Sequence, residues 1–155
     1  MLKDKIITKH VILVDDKGSI LETLEDLLSG FCIQQEIQIH SFSNPRKAFA
    51  KVQILKADSE NSILVVTDLQ FPQEDDGLDL IQIIIKQFNE QRPFIVLFTE
   101  KKDLSDKRVK KAWDLADEVI TKPRGIFEIK KILGNYFDCP FEKVGKILPT
   151  YGRMQ

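Results

Sequence analysis

The sequence is poor in cysteine and has no long apolar run, and both absences narrow the possible classes of protein. Cys32 and Cys139 are the only cysteines in 155 residues, so neither a disulfide scaffold nor a cysteine-ligated metal is indicated. No stretch reaches the roughly 20 apolar residues of a transmembrane helix. The first residues also lack the apolar core of a signal peptide. We therefore expect a soluble cytoplasmic protein that does not bind a membrane.

An excess of charge of one sign is also missing. Lys and Arg together number 23 and Asp and Glu 24, which gives a net charge of −1. This balance provides no general attraction to nucleic acid. Neither the G-x-G-x-x-G nor the G-x-x-x-x-G-K-[ST] pattern occurs, so nucleotide binding has no support. We expect no nucleic acid to be bound by this chain.

Five apolar segments have the length and composition of β-strands. Three are nearly continuous runs of branched and aromatic residues, which is typical of strands covered on both faces. Residues 36–42 instead alternate and place Ile37 and Ile39 inward. The predicted strands cover residues 10–14, 36–42, 63–66, 94–98 and 119–120.

Amphipathic segments follow each of these strands and predict helices. The Ser43-Asn44-Pro45 segment is typical of a helix start, because a capping side chain precedes a proline in the first turn. The predicted helices cover about residues 19–28, 45–55, 78–88, 104–115 and 126–137. We interpret four aromatic residues as core and both histidines as structural: Phe88, Phe94, Phe98, Phe127, His10 and His40.

The strict alternation of strands and helices indicates an α/β fold with a doubly wound parallel sheet covered on both faces. The expected domain spans residues 9–138, after an N-terminal extension of residues 1–8. Residues 139–155 form a predicted tail or linker, because so short a segment cannot fold as a second domain. Either the chain is a single-domain protein or a further domain follows Gln155.

Polar residues end four of the predicted strands. The first strand is followed by Asp15 and Asp16, and the third, fourth and fifth by Asp68, Thr99 and Lys122. The carboxyl ends of parallel strands share one edge, where α/β sheets bind ligands. Clustered carboxylates attract a hard divalent cation such as Mg²⁺. A carboxylate can also accept a phosphoryl group, and a lysine can pair with phosphate oxygens.

These residues carry a family resemblance over about residues 9–137. The sequence resembles the receiver domains of two-component response regulators, which are CheY-like. The matching segments are Val11-Ile12-Leu13-Val14-Asp15-Asp16, Val65-Val66-Thr67-Asp68-Leu69-Gln70-Phe71-Pro72, Gly77-Leu78, Val96-Leu97-Phe98-Thr99 and Val119-Ile120-Thr121-Lys122-Pro123. The resemblance implies a five-stranded, flavodoxin-like sheet with the strand order 2-1-3-4-5.

The resemblance also implies a function for each matching residue. Asp68 is the expected phosphoacceptor, and Thr99 and Lys122 are expected to bind the phosphoryl group. Mg²⁺ or Mn²⁺ is expected on Asp15, Asp16 and Asp68 and on the backbone carbonyl of Gln70. A cis peptide bond is expected between Lys122 and Pro123.

The implied partner is a sensor histidine kinase or a histidine phosphotransfer protein. Such a domain catalyses only its own phosphorylation and hydrolysis and is not a turnover enzyme. The family's output surface comprises the fourth helix, fifth strand and fifth helix, and a homodimer could form there. The cations Lys107, Arg108, Lys110 and Lys111 lie in the predicted fourth helix. They form either a solvated face or a docking surface for an acidic downstream partner.

Three features depart from the family pattern. Val119 occupies the position of the usual aromatic switch residue, three residues before Lys122. The segment between Pro72 and Gly77, residues 73–76, is one residue longer than usual and adds three acids. Glu100 follows Thr99, where a small residue is common.

Alternative interpretations remain open from the residues alone. Asp15 and Asp16 could cap the first helix. The chain could be a phosphorylation-independent interaction domain that retains the fold, which the absence of an aromatic residue at Val119 favours. A phosphatase of the haloacid-dehalogenase type is a further alternative, but its DxD motif follows the first strand, which here ends in Asp15-Asp16-Lys17.

Overall fold

The fold is an alternation of five strands and five helices, seen in a computed structural model that describes residues 8–58, 60–71, 76–122 and 125–137. A single 3-10 turn, Asn89–Gln91, precedes the fourth strand. The elements in chain order are β1 (Lys9–Val14), α1 (Gly18–Gln34), β2 (Ile37–Phe42), α2 (Pro45–Lys56), β3 (Ser62–Thr67), α3 (Gly77–Phe88), β4 (Phe94–Thr99), α4 (Lys107–Leu115), β5 (Glu118–Thr121) and α5 (Ile126–Tyr136).

All five strands pair in parallel, in the order β2-β1-β3-β4-β5. The last residue of β1, Val14, is in register with Phe42 of β2 and Thr67 of β3. Thr99 of β4 is likewise in register with Thr121 of β5. The predicted α/β fold and its strand order are therefore confirmed, and the carboxyl ends of the strands lie along one edge.

Both faces of the sheet are covered, because successive side chains of a strand point to opposite faces. Ile12 and Val14 of β1 belong to a buried cluster that includes residues of α2, α3 and α4. Val11 and Leu13 belong to a second cluster with residues of α1 and α5. Burial on both faces explains why the central strands are continuous apolar runs.

Side-chain caps begin three of the helices. Asn44 accepts hydrogen bonds from the amides of Arg46 and Lys47 and precedes the predicted Pro45 start of α2. Asp76 caps α3 and Asp106 caps α4. Because Asp106 supplies this cap, α4 begins at Lys107, three residues after the predicted start.

The structure corrects two further expectations. Helix α1 continues past residue 28 to Gln34, because Phe31 and Cys32 are buried against the sheet and this packing outweighs the low helix propensity of Gly30. Phe127 is 75% exposed, so its assignment to the core was wrong. Phe98 is fully buried, whereas Phe88 and Phe94 are partly buried against the core; these three assignments are confirmed.

The two histidines, His10 of β1 and His40 of β2, pair with each other across these neighbouring strands. His10 Nδ1 lies 3.0 Å from His40 Nε2, and the rings stack with their centroids 5.2 Å apart. Burial lowers the pKa of both side chains, that of His40 to about 4, and Lys51 lowers both further through its charge. Both imidazoles are therefore neutral at pH 7, which fits a structural pair.

Candidate functional site

Three carboxylates converge where β1 and β3 end. Asp15 and Asp16 follow β1, Asp68 follows β3, and one oxygen of each lies within 4.8 Å of the other two. Asp15 and Asp68 are buried, whereas Asp16 is exposed. The structure thus brings together all three carboxylates that the sequence placed at these strand ends.

Lys122 lies between two of these carboxylates. Its Nζ donates to Asp15 Oδ2 at 2.6 Å and to Asp68 Oδ2 at 3.0 Å. The Lys122 side chain is 2% exposed, and its Nζ lies 5.4 Å from the centre of the Phe98 ring. An ammonium buried this deeply requires paired anions, so Lys122 compensates the negative charge of the two aspartates.

The electrostatics of the cluster are set by burial. Burial raises the pKa of Asp15 above its usual value, although hydrogen bonds from Lys122 and from the Lys17 amide act in the opposite direction. Burial also opposes the charge of Lys122, but its contacts with Asp15 and Asp68 raise the pKa of the ammonium overall. Ionised Asp15 is costly here, and a further cation would reduce that cost.

The backbone around Asp68 is held on several sides. Its amide donates to the Val14 carbonyl at 3.0 Å, and its carbonyl accepts from Thr67 Oγ1 at 2.8 Å. Asp68 Oδ1 accepts from the Leu69 amide at 2.6 Å. The carboxylate is therefore fixed by Leu69 on one oxygen and by Lys122 on the other.

Gly77 packs directly on this backbone. Its amide donates to the Leu69 carbonyl at 2.8 Å. A Cβ at position 77 would overlap the carbonyl oxygen of Asp68 and lie 2.8 Å from Leu69 Cα. Only glycine fits this close approach between the first residue of α3 and the loop after β3.

Two successive hydrogen bonds connect Thr99, at the carboxyl end of β4, to α4. Thr99 is fully buried, and its Oγ1 accepts a hydrogen bond from the Lys101 amide at 3.0 Å. The Lys101 carbonyl in turn accepts from the Trp113 indole at 3.1 Å. Sequence reasoning did not identify Trp113, and its only signal was that it is the single tryptophan of the chain.

A cavity of about 380 Å³ opens above the cluster. Lys17 and Glu100 approach within 3.8 Å of each other at this cavity. Gln70 also lines it, while the coordination of a metal by the Gln70 carbonyl stays a prediction. The lining comprises Asp16, Lys17, Asp68, Gln70, Phe71, Thr99, Glu100 and Lys101.

The predicted output residues have different surroundings. Val119 is half-buried and packs against the core cluster that includes α4 residues. Lys107, Arg108, Lys110 and Lys111 are all exposed, but Lys110 pairs with Asp114 at 2.9 Å. Arg108 pairs with Asp76 and Asp79, so its charge is largely compensated by these two carboxylates. The expected four-cation patch is reduced by this pairing.

Some predictions fall on residues that the structure does not describe. The cis bond between Lys122 and Pro123 is one, since Pro123 lies outside the described residues. The acids at positions 74 and 75 are others, as are the predicted extension and tail outside residues 8–137.

The carboxylate cluster fits a hard divalent cation. All three donors are oxygens within reach of one ion, which suits Mg²⁺ or Mn²⁺ better than a soft metal. Burial raises the pKa of Asp15 although Lys122 opposes the shift, so a bound cation would favour the ionised form of this carboxylate.

Comparison with known proteins identifies the family. The family described as "Response regulator receiver domain" matches residues 11–134. The chain belongs to this family. Among the described residues, no helix of this receiver domain has the length and apolar character needed to cross a membrane. No curated protein sequence matches the chain.

Solved receiver domains share the fold. The chain resembles the signal receiver domain of an HD domain-containing protein from Pseudomonas fluorescens Pf-5, with 25% identity and a TM-score of 0.66 over 84% of this chain and 95% of that chain. It also resembles the signal receiver domain of a signal transduction histidine kinase from Syntrophus aciditrophicus, with 19% identity and a TM-score of 0.66 over 96% and 98% of the two chains. The chemotaxis protein CheY4 of Vibrio cholerae is 18% identical, with a TM-score of 0.64 over 83% and 98%.

Proposed function

We propose that this receiver domain is a phosphorylation switch in which Asp68 accepts a phosphoryl group. The observation that carries the proposal is the position of Asp68. Its carboxylate borders the cavity, is held by the Leu69 amide and Lys122, and lies beside Asp15 and Asp16. A fixed carboxylate facing an open cavity can act as a nucleophile.

The proposed step is a transfer from a phosphohistidine. An Asp68 oxygen attacks the phosphorus, the bond between phosphorus and the donor's imidazole nitrogen breaks, and the nitrogen keeps the electron pair. The product is an acyl phosphate on Asp68. Hydrolysis then places a water oxygen on the phosphorus, regenerates the carboxylate and releases inorganic phosphate. Catalysis of both steps consists mainly of positioning and charge stabilisation. Because the phosphoryl group is carried by the domain's own Asp68, the proposed domain modifies itself and is not an ordinary turnover enzyme.

Two described residues support the proposal, because they could stabilise the added charge. Lys122 already contacts Asp68 Oδ2, and its ammonium can pair with a phosphoryl oxygen. Thr99 lines the same cavity, and its hydroxyl can donate to another. Asp15, Asp16 and Asp68 would hold Mg²⁺ or Mn²⁺, with the Gln70 carbonyl as a further ligand. The bound metal would supply positive charge to the phosphoryl oxygens.

The proposed partners follow from the family. A sensor histidine kinase or a histidine phosphotransfer protein would supply the phosphoryl group in the cytoplasm. A downstream protein, or an output domain beyond the residues given, would receive the signal. Lys107 and Lys111 of α4 are exposed cations that an acidic downstream partner could contact. A homodimer through α4, β5 and α5 is the alternative use of that face.

The test is phosphorylation by acetyl phosphate with Mg²⁺, followed by intact-mass measurement. We expect one added phosphoryl group on the wild type and none on Asp68→Asn. Asp26→Asn removes an exposed carboxylate of α1 outside the cavity and should be labelled normally. Labelling of Asp68→Asn at the wild-type level would refute Asp68 as the acceptor.

A second candidate is a receiver domain that binds its partner without phosphorylation. Val119 favours it, since the usual aromatic residue is replaced by a half-buried valine that packs in the core. This candidate predicts that a Mg²⁺ titration leaves the site unperturbed. It also predicts that acetyl phosphate does not label the wild type, so the labelling experiment separates the two functions.

A further inference from the structure

Arg108 is an exposed cation of α4 that forms ion pairs with carboxylates of the same molecule. Its Nη2 lies 2.8 Å from both carboxylate oxygens of Asp76 and 3.6 Å from Asp79 Oδ1. Hydrogen bonding to Asp76 raises the pKa of Arg108 although burial opposes it. Among the described residues, these are the two carboxylates that pair with Arg108, and both belong to the amino end of α3.

Asp76 is itself fixed by α3. Its Oδ1 accepts from the Asp79 amide at 3.1 Å, and its own amide donates to Asp79 Oδ2 at 3.1 Å. This reciprocal capping holds the carboxylate in one position. The side chain of Asp76 is 18% exposed and that of Arg108 55%, so solvent is partly excluded from the Asp76 end of the ion pair but reaches the arginine.

The residue after Asp76 reaches the acceptor. Gly77 donates to the Leu69 carbonyl, and its Cα lies so close to the Asp68 carbonyl that no Cβ fits. A close-packed contact of this kind transmits displacement, because neither side can yield without moving the other. Asp68, Gly77, Asp76 and Arg108 therefore form a continuous series of contacts from the end of β3 to α4.

We propose that the Arg108–Asp76 ion pair couples α4 to the state of Asp68. Arg108 is thus a positioning residue, in contrast to its predicted use as a docking cation. This inference rests on the proposed phosphorylation of Asp68. A change in the backbone at Asp68 and Leu69 displaces Gly77 and the cap of α3, and Arg108 transmits that displacement to α4. The coupling does not require an aromatic side chain at Val119.

Trp113 makes the coupling measurable. It is the only tryptophan of the chain, it lies in α4, and its indole donates to the Lys101 carbonyl at 3.1 Å. A shift of α4 relative to the loop after β4 alters this hydrogen bond and hence the emission of the indole.

The experiment compares the full chain as wild type, Arg108→Gln and Lys110→Gln, each treated with acetyl phosphate and Mg²⁺. Lys110 is a matched control, because its side chain is 59% exposed against 55% for Arg108 and its partner Asp114 lies on the same helix. We expect all three to gain the acyl phosphate by intact mass. The change in Trp113 emission should fall to less than half in Arg108→Gln and stay at the wild-type size in Lys110→Gln.

An emission change of wild-type size in Arg108→Gln would overturn the inference. So would an equal loss in Lys110→Gln, or a phosphorylated wild type without any emission change. A wild type that gains no acyl phosphate would instead refute the proposed function itself. The ion pair is then judged separately with Asp76→Asn, which retains a capping side chain. The shifts in urea midpoint of Asp76→Asn and Arg108→Gln must be non-additive in the double variant, and additive shifts would show that the pair has no interaction energy and would overturn the inference.

Discussion

Lys122 Nζ lies 3.0 Å from Asp68 Oδ2, and 54 residues separate the two in the chain. The parallel sheet accounts for this contact, because β3 and β5 flank β4 and all three end at the same edge. Both side chains of the ion pair are buried, so removal of either charge leaves the other buried without its partner.

Lys122→Met should destabilise the protein, because it leaves Asp15 and Asp68 buried without their shared cation. We expect the free energy of unfolding to fall by about 2–3 kcal/mol in urea denaturation, somewhat below the 3–5 kcal/mol typical of fully buried pairs since the cavity admits water. Lys110→Met removes an exposed cation that pairs within α4 and should cost at most about 0.5 kcal/mol. Equal losses in the two variants would contradict the burial argument.

Gly77→Ala should be destabilising because the added Cβ overlaps the Asp68 carbonyl. Overpacking of this kind costs about 1–3 kcal/mol, and here the obstacle is backbone, so we expect the upper part of that range by urea denaturation. Gly30→Ala is the matched control. A Cβ at Gly30 in α1 meets no atom within 4 Å and should raise the stability by about 0.5–1 kcal/mol. The hypothesis fails if both alanines change stability in the same direction.

Mg²⁺ should stabilise the folded protein through the carboxylate cluster. A ligand that binds only the folded state adds about 1.4 kcal/mol at roughly ten times its Kd, which a thermal melt detects as a rise in Tm. Asp16→Asn should lose most of this rise without a large change in the metal-free Tm, because Asp16 is exposed. Asp26→Asn, outside the cavity, should keep it. An undiminished rise in Asp16→Asn would remove Asp16 from the ligand set.

The histidine pair should make stability fall in acid. The pKa of His40 is about 4 in the folded protein and about 6.5 in the unfolded chain. The unfolded state therefore takes up a proton first, so stability is complete above pH 6.5 and decreases as the pH falls towards 4. Allowing for solvent screening, we expect a loss of about 1–2 kcal/mol from this residue.

NMR titration of the imidazole protons measures this directly, since His10 and His40 are the only histidines. Burial also lowers the pKa of His10, so both signals should titrate below 6.5. His40→Phe should flatten the dependence of stability between pH 6.5 and 4. Titration of both signals at the unperturbed value would show that the pair is open to solvent.

The fold could be predicted from the sequence for one physical reason. The same reason predicts that five polar residues lie at one edge of the sheet: Asp15, Asp16, Asp68, Thr99 and Lys122. Strands buried on both faces are continuous apolar runs, and the polar residue that stops each run must lie at the edge. The sequence therefore predicts one site for Asp68 and Lys122, although it gives no distance between them. The family resemblance supplied the strand order that makes them neighbours.

Contacts between side chains of different helices could not be predicted in this way. Arg108 and Asp76 are 32 residues apart, and their meeting depends on how α3 and α4 pack against each other. The exposure of Phe127 could not be predicted for the same reason. Its aromatic character indicates the core, but the side chain is exposed at the start of α5. The continuation of α1 to Gln34 was likewise decided by the burial of Phe31 and Cys32.

The hydrogen bond at Thr99 limits which groups this side chain can bind. Its oxygen already accepts the Lys101 amide, and within the described part of the chain its hydroxyl hydrogen has no assigned acceptor. In the proposed switch, a phosphoryl oxygen that enters the cavity can accept this hydrogen, whereas a metal cation cannot. Thr99 would therefore gain a hydrogen bond on phosphorylation and none on metal binding alone, which would let the domain hold its metal without responding to it.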